Sequence, residues 1–153
     1  MRRIIVLDTG VAGVLTRPQA SAERIACRAW FDGLRATQDL VMLPAIVDYE
    51  LRREMPFRRA VTSIRHLNRL AREAKYIPLD SRSMHQAAAI WAQTRHNGQP
   101  TADRHALNGD VILAAQASLL DDPGGEIIIA TANVKHLIRF ADARLWTDIR
   151  PTF

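Results

Sequence analysis

Short apolar runs alternating with longer amphipathic stretches constrain this chain more than any other feature of its sequence. Extended segments are predicted at Arg3–Leu7, Leu40–Leu43, Tyr76–Pro78, Glu126–Ala130 and, with a weaker pattern, Leu145–Trp146. Helical stretches separate them, and parallel strands need such crossovers. The pattern therefore predicts an α/β fold: a mostly parallel central sheet of four to five strands flanked by helices on both faces. At 153 residues the chain fits a single domain spanning 1–153.

The helices are predicted from periodicity and from their end signals. Ser21 is placed to cap a helix to Gln38, with Ile25, Ala29, Phe31 or Asp32, and Leu34 at roughly helical spacing. A helix from Ala45 to Glu54 follows Pro44, and Pro56 is read as the start of another running to about Ala74, with Val61, Ile64, Leu67, Leu70 and Ala71 on one face. Together these two form a helical arm. Ser81 or Ser83 is expected to cap a helix that Asn97-Gly98 ends, and Gly98 to Arg104 is expected to be a loop. Asp110 is predicted to begin a helix to Leu120, residues 122–125 to turn, and Asn133 to open the last helix.

Acidic and amide residues stand where these elements meet. Asp8 follows Ile4-Ile5-Val6-Leu7, Glu50 lies on the helix after Leu43-Pro44, Asp110 opens a helix, and Asn133 follows Ile127 to Thr131. Ligands of open α/β sheets bind beyond the carboxyl ends of the strands, so oxygen donors gathered there suit a hard divalent cation. Each residue has a plainer reading. Asp8 and Asn133 are good helix N-caps, Asp110 suits a helix N-terminus electrostatically, and Glu50 on a helix can simply face solvent, with Glu54 its rival one turn later. Asp48 is rotated to another face by its two-residue offset from Glu50. Asp103 is expected in a loop. The five histidines show no zinc-ligand spacing, and His136 alone is close enough in sequence to face the site.

Charge narrows the partners. The net charge is +5 and the pI near 10.3, with almost all positive charge on arginine. This favours a polyanion or an acidic protein, although a GC-rich genome also enriches arginine. Arg58, Arg65, Arg69 and Arg72 recur at three, four and seven residues along the arm, a basic stripe suited to RNA phosphates or, equally, an ordinary charged outer face. No aromatic residue interleaves it, so base stacking is not indicated. Cys27 has no cysteine partner, and no apolar run reaches the ~18 residues of a membrane span. A cytoplasmic protein without membrane contact is expected.

The segments "IIVLDTGV", "LPAIVDYELRRE", "GDVILAAQA" and "IIIATANVKHL", in this order, resemble a PIN domain, the metal-dependent ribonuclease fold of the VapC-type toxins. The resemblance covers essentially the whole chain. It places Asp8, Glu50 and Asp110 on the family's acidic metal-binding positions, Asn133 where a fourth acid often stands, and Thr9 at the usual hydroxyl position. Two departures accompany it. Gly10 replaces a common asparagine, and the fourth corner carries no carboxylate, since His136 also stands where an aspartate is frequent. A one-metal site, or a second metal recruited with the substrate, is the expectation.

The resemblance implies a Mg²⁺- or Mn²⁺-dependent endoribonuclease, Asp8, Glu50, Asp110 and Asn133 forming its catalytic set, with a small cognate antitoxin and a homodimeric state. A PIN-like RNA-binding or assembly module with a decayed site is the alternative, and a DNA-directed nuclease of the same fold differs only in substrate. A haloacid-dehalogenase-type phosphatase would need an aspartate where Gly10 stands, and a response-regulator receiver would need an acidic cluster and a phospho-accepting aspartate that the sequence lacks.

Overall fold

A computed structural model describes residues 2–96, 104–122 and 124–152, with backbone alone for 104–107. Asp103 and most of the expected loop from Gly98 lie outside these residues, as does Pro123 of the expected turn.

Five strands form one sheet: β1 (Arg3–Leu7), β2 (Leu40–Pro44), β3 (Lys75–Ile77), β4 (Glu126–Thr131) and β5 (Ala143–Leu145). Their order is β3-β2-β1-β4-β5 and every pair is parallel. Among the described residues six helices flank it: α1 (Thr9–Thr16), α2 (Ala22–Arg35), α3 (Ala45–Arg52), α4 (Val61–Glu73), α5 (Ser81–His96) and α6 (Arg104–Ser118). β1 is central because it is apolar on both faces. Ile4, Ile5, Val6 and Leu7 are all buried, with Ile5 level with Val41 on one side and Ile128 on the other. Chain order reverses direction at β1, which makes the gap between β1 and β4 the switch point of the sheet.

The helices depart from expectation at several places, each for a local reason. α2 buries Cys27, Trp30, Phe31 and Leu34 while Ile25 is exposed, so its inward face is rotated from the expected one and ends at Arg35. Ser21 does cap it, accepting from the Arg24 amide at 3.1 Å. The second helix of the arm begins at Val61, not Pro56, because residues 53–59 form turns and Arg59 adopts a left-handed φ of 53°. α4 then buries Ser63, Leu67 and Leu70 and exposes Val61. α5 is capped by Asp80 rather than a serine, its carboxylate accepting from the Ser83 amide at 2.7 Å. Asn133 precedes a short 3-10 turn, Val134–His136, where an α-helix was expected.

α6 differs most. It starts at Arg104 and runs unbroken through Asn108 and Gly109, so Asp110 lies inside the helix instead of opening it. Gln116, buried one and a half turns beyond Asp110, donates to the Ile77 and Pro78 carbonyls at 3.0 and 3.2 Å and accepts from the Ile46 amide at 3.4 Å. That clamp joins α6, α3 and the end of β3. It thereby fixes Asp110 relative to Glu50, four residues after Ile46 on α3.

Among the described residues no helix is long and apolar enough to cross a membrane.

Candidate metal centre

The end of β1 and the helices α3 and α6 bring the acids together beyond the carboxyl end of the sheet. Asp8 leaves β1 as its amide still bonds the Ala130 carbonyl at 3.0 Å, and its extended backbone makes it the N-cap of α1. One carboxylate oxygen accepts from the Thr9 amide at 2.7 Å, and the other from the Thr131 hydroxyl at 2.6 Å. The capping and site readings of Asp8 are thus compatible: one oxygen serves each. Thr131 is completely buried and also accepts from the Asn133 amide at 3.0 Å. It ties the end of β4 to the acid at the end of β1.

Glu50 enters from α3. A Cβ at Gly109 would lie 2.5 Å from its Oε1, so the missing side chain at 109 is what admits this carboxylate against α6. Asp110 follows on α6, with Nδ1 of His136 4.0 Å from its Oδ2. The fourth corner is therefore occupied by an imidazole. Asn133 is exposed and its side chain caps nothing, so the N-cap reading of that residue is not realised, while its backbone is held beside Asp8 through Thr131.

The electrostatics show the convergence. Burial raises the Asp8 carboxyl, and the bonds from Thr131 and Thr9 oppose the rise. Burial also raises Glu50, with the charge of Arg53 pulling it down and that of Asp8 pushing it up. Asp110 is driven furthest, to about 6, first by burial and then by Asp8, with Glu50 adding to the rise and His136 and Arg139 opposing it. The charge of Asp8 thus reaches both Glu50 and Asp110, and that of Glu50 reaches Asp110. Three oxygen-donor carboxylates that repel one another have the chemistry of a hard-cation site. Among the described residues no three His, Cys, Asp or Glu side chains already close a metal cage, so the carboxylates would have to draw inward around an ion.

Other expected site residues are placed elsewhere. Glu54, the rival of Glu50, is exposed and pairs with Arg58 at 3.4 Å. Asp48 turns away to Arg52 at 3.0 Å. The arginine stripe is divided: Arg58 stands in the turn before α4 rather than on it, and Arg69 is paired with Glu73 at 2.9 Å, leaving Arg65 and Arg72 on the outer face of α4. Sequence reasoning missed Thr131, Gly109, Arg53 and Arg139 as neighbours of the acids. Thr131 alone had a signal, as the first residue of the Thr-x-Asn segment.

A scan against protein-family models and a search of curated proteins each return no match. Solved structures do match along nearly the full length. The chain is similar to VapBC-1 from nontypeable Haemophilus influenzae, with 19% identity, TM-score 0.67, and 95% of this chain and 99% of that one covered. It is similar to VapBC2 from Rickettsia felis, solved bound to a promoter DNA fragment, with 13% identity, TM-score 0.68, and coverage of 94% and 98%. DNA-bound VapBC from Salmonella typhimurium aligns with 16% identity, TM-score 0.66, and coverage of 95% and 99%. At such identities the likeness is one of fold, and the chain has the PIN-like fold of these VapBC proteins.

Proposed function

We propose that this chain is a divalent-metal-dependent endoribonuclease of the VapC toxin type. The observation that carries the reading is the gathering of Asp8, Glu50 and Asp110 beyond the end of the central strand, where burial first and then the charges of Asp8 and Glu50 bring Asp110 to about 6. Carboxylates are gathered at this expense where a cation or a proton is to be held. Asp8, Glu50 and Asp110 would hold Mg²⁺ or Mn²⁺, which when bound supplies the charge that activates water and steadies a phosphodiester under attack. The chain's own groups do the rest. Thr131 holds Asp8 in one orientation, Gly109 leaves room for Glu50, and the Gln116 clamp keeps α3 and α6 in register. Asn133 would contribute an uncharged oxygen at the fourth corner, beside His136.

RNA as substrate accords with a net charge of +5 and with Arg58, which lines a pocket with Glu50, and the exposed Arg65 and Arg72 of α4, Arg69 being tied to Glu73. The VapBC neighbours support an antitoxin as partner; a homodimer in the cytoplasm is what the sequence resemblance alone implies. The test is cleavage of total RNA with Mn²⁺ by the purified chain and by Asp8→Asn, which keeps size and capping capacity while removing a ligand charge. Activity is expected to vanish in the variant with the fold intact by circular dichroism; full activity in Asp8→Asn overturns the reading.

A second reading, a PIN-like RNA-binding or assembly module without cleavage, is favoured by one observation: the fourth corner holds an amide and an imidazole instead of a carboxylate. RNA binding without metal-dependent cleavage by the parent chain would select it.

A further inference from the structure

The arginines of this chain divide into committed and uncommitted groups. Glu73, mostly buried, is held by Arg28, by Arg35 at 2.8 Å and by Arg69 at 2.9 Å. Arg52 is tied to Asp48 at 3.0 Å and to Asn68 at 2.9 Å, and Arg3 to the buried Asp39 at 2.6 Å. Drawing such a guanidinium away would strand a partly desolvated carboxylate, so these arginines are ill placed to receive a phosphate.

The arginines on one flank of the acid cluster differ. A pocket of about 430 Å³ opens beside Glu50, between α1, α3 and the turn after α3, and carries Arg17, Arg53 and Arg58. Among the described residues Arg17 pairs with Glu23, at 2.6 Å, and Arg58 with Glu54, at 3.4 Å; all four side chains are between 46% and 72% exposed. Exposed pairs of this kind contribute little and exchange readily for another anion. Arg53 lies over the Tyr49 ring, and its charge reaches Glu50, so it marks the boundary between pocket and acids. Leu51 and Met55 supply an aliphatic wall, and Thr9 brings the pocket to the residue beside Asp8. Its volume is within the range of small-ligand pockets, roughly 300–1,000 Å³. That suits one unpaired nucleotide and not a duplex.

We infer that this pocket is a nucleotide subsite for single-stranded RNA, holding the residue next to the scissile phosphate with flanking phosphodiesters on Arg17 and Arg58. The inference rests on the ribonuclease reading and moves the main RNA contact from the outer face of α4 to the flank of Glu50. No aromatic ring lines the pocket among the described residues, so a base there rests on guanidinium planes and aliphatic carbons and is held with little sequence preference.

Binding of a fluorescent single-stranded oligoribonucleotide, followed by anisotropy in EDTA across a salt series, tests the pocket without any cleavage step. Arg17→Gln with Arg58→Gln is compared with the charge-matched pair Arg2→Gln and Arg150→Gln, near the opposite end of the sheet, and with Arg65→Gln and Arg72→Gln on α4. The pocket pair is expected to raise Kd about tenfold or more, because bonds to charged groups are lost. It should also lower the log–log salt slope by about 1.4, at roughly 0.7 per phosphate on a single strand. In cleavage with Mn²⁺, KM should rise and kcat stay nearly unchanged. Binding and slope equal to the Arg2 and Arg150 control, or a loss carried by the Arg65 and Arg72 pair instead, overturns the inference. If the parent chain fails to cleave, the ribonuclease reading falls, and the binding series still decides the pocket.

Discussion

Asp110→Asn separates what this carboxylate does for chemistry from what it does to the fold. Its side chain is only 20% exposed, and burial with the charges of Asp8 and Glu50 brings it to about 6 from an unfolded value of 3.8. The folded chain therefore holds this proton more tightly than the unfolded chain does. The stabilisation that proton confers is complete below about pH 4 and is lost as pH rises through 6. A displacement of about two pH units corresponds to roughly 2–3 kcal/mol. Asparagine has no charge to lose, so above pH 6 in EDTA the variant should exceed the parent by about that amount, or roughly 5–10 °C in melting temperature for a domain of this size. Near pH 4 the two should converge. Adding Mn²⁺ at pH 7.5 should reverse the order, since the parent gains a ligand charge that the variant lacks. Thermal melts followed by circular dichroism at both pH values, with cleavage of total RNA alongside, check this. A melting difference independent of pH, or a variant less stable than its parent at pH 7.5 in EDTA, refutes the crowded-carboxylate reasoning.

Gly109→Ala should hold or raise stability, since alanine inside a helix is favoured by about 0.5–1 kcal/mol, yet its Cβ would displace the Glu50 carboxylate and lower cleavage by about tenfold or more. Unchanged turnover with a raised melting temperature would show that Glu50 is not used where it stands. Asn133→Asp should add a negative charge beside Asp8 and bring half-saturation to lower Mn²⁺. Identical Mn²⁺ titration curves for the two proteins would remove residue 133 from the ligand set.

What could be read from the sequence follows from which interactions are local. The strands were legible because β1 and β4 are apolar on both faces, a pattern that only a central parallel strand requires, and their bounds shift by no more than a residue or two. Asp8 was legible for the same reason, as the acid at the end of β1, and Glu50 as an acid on the helix that follows β2. The helix around Asp110 was not. Asn108-Gly109 is a breaker by local propensity, and the glycine's actual role, giving room to a carboxylate from α3, exists only in three dimensions. The break in the arm was likewise hidden, because arginine at a left-handed position has no sequence signature. Thr131 could not be assigned to Asp8 without knowing that β4 lies beside β1.

The hydrogen bond from Thr131 to Asp8 joins residues 123 apart, and the β1–β4 ladder closes the same long loop. During synthesis, β1, β2 and β3 are made first, while the central strand waits for its second neighbour. Until β4 has left the ribosome, Asp8 lacks its hydroxyl donor and the sheet lacks its switch point. Pairing over such a separation is also a slow step in folding. A growing chain thus carries Asp8 without its hydroxyl donor until 123 further residues have been made.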